Sequence, residues 1–138
     1  MVDVAASLSA ESAVGDLVQR FREAFIEFRS ALTNIEVLVG SAAHRLGRVV
    51  VSHGAGTNGG YSVGKAYFEH GVDTLVYIHC RPDDARRLKA EFGDAKSLIV
   101  TGHIASDSVG IRPYVDRLRR EGLDVATASG ILPGAETL

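Results

Sequence analysis

Apolar residues in the first quarter of the chain recur every three or four positions, which is the spacing of one face of an α-helix. These positions are Leu17, Phe21, Phe25, Phe28 and Leu32, and charged side chains occupy the opposite face. The pattern predicts a long amphipathic N-terminal helix over residues 9–34, with Ser9 as its N-cap. The short apolar run 35–39 that follows is typical of a first strand.

From Arg48 onward the pattern changes to short, continuous apolar runs separated by amphipathic segments. Continuous apolar runs are expected for strands of a parallel sheet, because helices cover both faces of such a sheet. The runs predict strands at 49–53, 74–79 and 97–101, helices at 61–70, 82–92 and 106–121, and a candidate strand at 125–128. Pro113 is expected to kink the last helix.

This order of elements predicts an α/β fold, with a mostly parallel sheet in a single layered domain and helices on both faces. Residues 1–138 would form one domain, in which residues 48–129 are a βαβαβα core. The chain has 138 residues, which is enough for a core without disulfides.

Composition excludes several classes of protein. A formal charge of −2 gives no support for a nucleic-acid or membrane-surface partner, and no apolar run approaches the roughly 20 residues of a membrane span. The single cysteine, Cys80, can form no internal disulfide, and the N-terminus has no leader-like pattern. We therefore expect a cytoplasmic protein.

Three predicted parallel strands end in, or just before, a histidine: His53, His79 and His103. Since parallel strands end at one rim of a sheet, we expect these side chains to converge. Asp107 stands four residues beyond His103, a spacing that places both on one face of a helix. Imidazole and carboxylate groups are metal ligands, so the pattern predicts a divalent-metal site. Each histidine taken singly is more typical of a structural role than of a metal ligand, and only their shared position favours metal.

Glycines follow the first parallel strand at Gly54, Gly56, Gly59 and Gly60. Their backbone N–H groups, next to the start of a helix, are expected to bind an anionic part of a small substrate. Two nucleotide-binding motifs are matched only in part. The G-x-G-x-x-G spacing lacks its acidic partner after the next strand, and a phosphate-loop spacing that ends at Lys65 lacks the Ser or Thr that should follow.

The segment LIVTGHIASDSVGI resembles the G-H-x-x-[ST]-E-x-x-G motif near the C-terminus of the NGG-interacting-factor-three-like family, dinuclear-metal hexamers also known as GTP cyclohydrolase I type 2 homologues. RVVVSHGAGTNGG and GVDTLVYIH resemble the family's glycine-rich turn and its GxDxYxTG strand, in the same order. The resemblance covers residues 48–122. It implies the family's α/β fold, a ring-like homo-oligomer, and two adjacent divalent cations bound through His103 and Asp107.

The chain departs from the family in ways that bear on the metal. It resembles the C-terminal half alone, whereas full-length members bring a His-His pair and an Asp from an N-terminal lobe. Asp107 stands where the family has Glu, and the sequence RPDD stands where the family has a further histidine. His53 and His79 replace small family residues. We therefore predict that these two histidines substitute for the missing lobe and help bind one or two zinc, manganese or iron ions.

Such a site favours a metal-dependent, hydrolase-like activity on a nucleotide or another phosphorylated small molecule, because a divalent cation lowers the pKa of bound water to about 7. Two alternatives remain open at this stage. One is a non-catalytic metal-binding regulatory or scaffold oligomer. The other is a metal-free nucleotide-binding domain that uses the glycine turn.

Overall fold

The computed structural model describes residues 1–29, 34–52, 59–128 and 131. Helices within these residues are α1 (Val2–Ala6), α2 (Val14–Ala24), α3 (Tyr61–Glu69), α4 (Pro82–Phe92) and α5 (His103–Arg120), and a 3-10 turn (Ile26–Phe28) follows α2. The strands are β1 (Glu36–Val39), β2 (Val49–Ser52), β3 (Thr74–Tyr77) and β4 (Ser97–Val100). His53, Gly54 and Gly56 lie outside the described residues.

The four strands form one mixed sheet in the order β1-β4-β3-β2. Strands β2, β3 and β4 are parallel, and β1 pairs antiparallel with β4 at one edge. Tyr77 pairs with both Ser52 and Val100, so the three parallel strands end level with one another. The predicted α/β fold with a mostly parallel sheet is confirmed, and the carboxyl ends of β2, β3 and β4 share one rim.

Helices cover both faces of the sheet, as predicted. Successive side chains of a strand point to opposite faces, so β3 directs Leu75 and Tyr77 to one side and Val76 to the other. Leu75 and Tyr77 pack in a cluster with residues of α3 and α4. Val76 packs in a second cluster with residues of α1, α2 and α5. This two-sided burial explains why the strands appear in the sequence as continuous apolar runs.

The single long N-terminal helix predicted over residues 9–34 is not observed. Residues 10–14 instead direct backbone hydrogen bonds to the loop before β2: Leu46 donates to Ser12 (2.7 Å) and Val14 donates to His44 (2.9 Å). The helix therefore begins only at Val14. It ends at Ala24 because Phe25 is extended, with φ −128° and ψ 119°. The next turn packs Phe28 edge-on against Phe25, with ring centroids 5.7 Å apart.

The last helix begins three residues earlier than predicted, at His103, and continues through Pro113 to Arg120. The predicted strand at residues 125–128 does not form, since these residues have no regular structure. The carbonyl oxygen of Val125 instead accepts hydrogen bonds from the Arg119 guanidinium at 2.7 and 3.2 Å. None of the helices in the described ranges is long and apolar enough to cross a membrane.

Asp73 joins three strands at the edge of the sheet opposite the histidine rim. Its carboxylate accepts from the backbone N–H of Arg48 (2.9 Å), just before β2, and from Lys96 Nζ (2.8 Å), just before β4. The Arg48 hydrogen bond, followed by the Lys96 hydrogen bond, lowers the pKa of Asp73 below its ordinary value of 3.8. The ionised form is therefore the one that stabilises the fold.

We expect Asp73→Asn to lower the free energy of unfolding at pH 7, and this loss to shrink in acid. Because the folded pKa is depressed, the carboxylate's contribution is complete above about pH 4 and disappears as the pH falls through the folded pKa. Urea unfolding of the parent and variant between pH 2 and 7 measures this difference. A difference that does not vary with pH would contradict the assignment.

Candidate metal-binding site

His79 and His103 come together at the rim where the parallel strands end. His79 lies two residues beyond β3, and His103 is the first residue of α5, just after β4. Their ring centroids are 6.1 Å apart, the planes are inclined by 42°, and both side chains are exposed. The predicted convergence of these two histidines is therefore observed. His53 follows β2 directly in sequence and lies outside the described residues.

His103 and Asp107 present their side chains on the same face of α5. The Nε2 atom of His103 is 3.3 Å from Oδ2 of Asp107, and the two side chains are 61% and 38% exposed. A cation bound to both atoms at about 2.0–2.2 Å in tetrahedral geometry would hold them about 3.3–3.6 Å apart. The spacing therefore fits two ligands of one cation. It equally fits an i,i+4 ion pair when His103 is protonated.

The described residues supply only part of a complete coordination shell. Within residues 1–29, 34–52, 59–128 and 131, no three His, Cys, Asp or Glu side chains are grouped so that they could hold a metal ion. The site as described is a two-ligand edge, His103 with Asp107, and the neighbouring imidazole of His79. These donors suit zinc, manganese or iron.

Comparison with solved structures identifies the fold. A NIF3 superfamily protein from Sphaerobacter thermophilus is 48% identical, with a TM-score of 0.83 over 93% of this chain. The chain is NIF3-like over most of its length. It spans 46% of the Sphaerobacter chain, so about half of that relative has no counterpart here.

Two structures of the Staphylococcus aureus protein SA1388 resemble the NIF3-like chain in fold alone. Both are 16% identical to it, with TM-scores of 0.54 and 0.50. They match over 88% and 82% of this chain, which corresponds to 33% and 30% of theirs. Comparison with protein-family models gives no match, and neither does comparison with curated proteins.

The turn into α5 explains why His103 stands at the rim of the NIF3-like fold. Gly102 is the N-cap of α5 and has φ +87°, a left-handed conformation that glycine adopts without strain. The chain therefore reverses within two residues of the end of β4. His103 becomes the first helical residue, directly above the sheet edge.

The described part of the glycine-rich turn rests against His79. Gly59 has φ +55°, and a Cβ built on it would lie 2.4 Å from the carbonyl oxygen of His79. Gly60 is the N-cap of α3, whose first turn contains no acidic residue. The turn and the histidine rim are thus direct neighbours. Anion binding at Gly59 and Gly60 stays a prediction, as it does at Gly54 and Gly56, which lie outside the described residues.

We expect Gly59→Ala in the NIF3-like chain to destabilise the fold and displace His79. The added methyl group would meet the His79 carbonyl oxygen, and the left-handed backbone would strain alanine by about 1 kcal/mol or more. Thermal unfolding measures the first effect, and the change in the His79 amide chemical shift measures the second. Gly71→Ala is the matched control, because Gly71 also has a positive φ (+83°) but nothing lies within 4 Å of its added Cβ. Equal effects of the two substitutions would contradict the contact.

Lys65 is engaged by carboxylates of α3 and α4. Its ammonium group pairs with Glu91 of α4 and with Glu69 one turn further along α3, at 3.3 Å. The hydrogen bond from Lys65 to Glu91 is the main cause that raises the pKa of Lys65 above its usual range. These contacts weaken the metal-free nucleotide-binding interpretation.

The remaining histidines and the cysteine are bonded or buried elsewhere. His44 Nδ1 lies 3.2 Å from Ser97 Oγ, at the start of β4, and His70 Nδ1 lies 2.7 Å from the carbonyl oxygen of Ala66 in α3. Burial raises the pKa of the Cys80 thiol to about 11, so it is protonated at neutral pH. A protonated thiol is a poor metal ligand, because the thiolate is the binding form.

Proposed function

We propose that the chain binds a divalent cation through His103 and Asp107, with His79 and His53 as further ligands, and uses it to hydrolyse a nucleotide or another phosphorylated small molecule. The observation that carries this proposal is the 3.3 Å separation of His103 Nε2 and Asp107 Oδ2, next to the His79 ring. The resemblance of LIVTGHIASDSVGI to the family's G-H-x-x-[ST]-E-x-x-G motif also supports it, since His103 and Asp107 occupy the motif's histidine and acidic positions.

Each residue has a definite part in this proposal. When bound, zinc, manganese or iron supplies an acidic centre that polarises a phosphoryl group and activates water for attack. His103 and Asp107 fix the position of the cation on α5, and their exposure leaves access for substrate. His79 approaches from the end of β3, so ligands on two elements would restrict movement of the cation.

The start of α3 is the proposed binding site for the anionic part of the substrate. The first N–H groups of a helix have no partner within it and carry the positive end of the helix dipole. In α3 the first hydrogen bond that reaches back to the N-cap is donated by Gly64 to Gly60, at 3.1 Å. Because Gly59 contacts His79, an anion at this helix start would lie close to the proposed cation.

A non-catalytic scaffold is the second candidate, and a specific surface favours it. Ile104, Ile111 and Tyr114 are 54%, 37% and 63% exposed on α5, the helix that carries His103 and Asp107. Their spacing of seven and three positions places them on one face of the helix, and a contiguous exposed apolar patch is typical of protein interfaces. The resemblance implies a homo-oligomer, and on this alternative the cation would stabilise an assembly without turnover.

Metal content and hydrolysis, measured on the same purified chain, separate these functions. We expect one or two ions per chain by elemental mass spectrometry, and hydrolysis of generic phosphoesters or nucleoside triphosphates that a chelator abolishes and added metal restores. Metal without hydrolysis would support the scaffold. Nucleotide binding without metal would support the metal-free alternative and contradict the proposal.

A further inference from the structure

We infer that Thr101 and Ser106 are positioning residues: their buried hydroxyl groups set the placement of His103 relative to His79 and thereby the affinity of the cation site. The inference concerns the site assigned under the proposed function and rests on it. Neither hydroxyl group reaches the rim surface, so the two residues act through the histidines.

Thr101 ties the end of β4 to the end of β3. The residue is fully buried, and its hydroxyl donates to the carbonyl oxygen of Tyr77 at 3.2 Å. The backbone N–H of Thr101 donates to the same oxygen at 2.9 Å. Tyr77 is the last residue of β3 and lies two residues before His79. Thr101 therefore holds the segment that leads to His79.

Ser106 continues this link into the first turn of α5. Its Oγ donates to the carbonyl oxygen of Gly102 at 2.5 Å and accepts from Thr101 Oγ1 at 2.7 Å, so the single hydroxyl proton of Thr101 is shared between Ser106 Oγ and the Tyr77 carbonyl oxygen. The backbone N–H of Ser106 donates to the same carbonyl oxygen at 3.1 Å. Gly102 directly precedes His103. The two hydroxyl groups thus join the backbone segments that carry the two imidazoles.

Burial makes this link costly to break. A hydroxyl group removed from water is tolerated only when it is hydrogen-bonded, and Thr101 and Ser106 are 0% and 9% exposed. Substitution of residues that orient metal ligands without contacting the metal typically changes metal affinity by about 10- to 100-fold. The position of Ser106 within the segment GHIASD explains its contact with Gly102, because serine in a first helical turn can bond back to the carbonyl four residues earlier.

Ser108 provides a matched control on the same helix. It is also buried, and its hydroxyl donates to the carbonyl oxygen four residues earlier, that of Ile104, at 2.7 Å. This hydrogen bond stays within α5 and does not reach a strand. Loss of the Ser108 hydroxyl therefore reproduces the loss of a buried helical serine without breaking the link between β3 and α5.

The test compares Co²⁺ and Zn²⁺ affinities of the full chain, measured by absorbance and calorimetry. We expect Thr101→Val and Ser106→Ala to weaken binding about tenfold. Thr101→Ser retains the hydroxyl and should bind within about threefold of the parent, and Ser108→Ala within about twofold. Parental affinity in Thr101→Val and Ser106→Ala would overturn the inference, and so would an equal loss in Ser108→Ala.

Amide hydrogen exchange in the metal-free chain tests the link without the cation. We expect Thr101→Val to speed exchange about tenfold at the amides of residues 101 and 106, because the β4–α5 turn opens more readily, and Ser108→Ala to leave them unchanged. Unchanged exchange in Thr101→Val would overturn the positioning role. If the parent binds no cation while exchange rises as expected, the proposed function fails but the positioning of the rim stands.

Discussion

Substituting Arg112 with alanine is expected to lower the free energy of unfolding by about 3–5 kcal/mol. Glu27, in the 3-10 turn after α2, is 1% exposed, and its carboxylate accepts from Arg112 Nε at 2.5 Å. Removing the guanidinium takes this cation away from a buried carboxylate, so that less of the desolvation cost of the charge is offset. Urea unfolding at pH 7 measures the loss.

Arg117→Ala is the control for this prediction, because Arg117 lies on the same helix but is 74% exposed, 4.0 Å from Glu121. Exposed ion pairs contribute little, so we expect a change within about 0.5 kcal/mol. Equal stability of Arg112→Ala and Arg117→Ala would show that the Glu27 pair does not anchor α5. Since α5 carries His103 and Asp107, the same measurement reports on the support of the candidate site.

Substituting His103 with alanine is expected to weaken Zn²⁺ or Co²⁺ binding at least about 100-fold. Second-layer residues already change metal affinity by about 10- to 100-fold, and removal of a direct ligand should cost at least as much. Titration of the full chain in competition with a chromophoric chelator measures the constant. His79→Ala and Asp107→Ala should weaken binding in the same direction.

Two variants control for general effects of these substitutions. His70→Ala removes an exposed histidine at the opposite edge of the sheet and should leave the affinity unchanged. Asp107→Glu introduces the residue of the resemblance motif and should retain binding, since the carboxylate stays on the same helix face. Affinity in His103→Ala equal to that in His70→Ala would contradict the role of His103.

Local signals in the sequence were sufficient to predict the strands and helices that form the histidine rim. Pro82 at a first helical position and Gly93 after the last turn bounded α4 as observed. The continuous apolar runs located β2, β3 and β4, because helices bury both faces of these strands. The i,i+4 spacing placed His103 and Asp107 on one helix face, and the structure brings their side chains together.

Features that depend on distant contacts could not be predicted in this way. The N-terminal periodicity continues through Phe25 and Phe28, but residues 10–14 bond to the loop before β2, so the helix is shorter than its pattern. Thr101 gave no sequence signal, and Ser106 occupies the [ST] position of the motif without any indication of what it contacts; only the structure shows that their hydroxyl groups link β3 to α5. The Glu27 pair with Arg112 spans 85 positions and gave no sequence signal.

The source of the remaining metal ligands is the open chemical question at this site. The chain spans 46% of the Sphaerobacter relative, and its described part supplies a two-ligand edge with a neighbouring imidazole. On the proposal, His79 and His53 make the chain sufficient for cation binding without another polypeptide. The alternative is that ligands from outside these 138 residues complete the coordination.

Anomalous scattering from crystals of the chain grown with zinc tests the central claim most directly. The account predicts a peak within about 2.0–2.2 Å of His103 Nε2 and of an Asp107 carboxylate oxygen, with His79 turned towards it. Well-ordered His103 and Asp107 side chains with no zinc peak between them would contradict it.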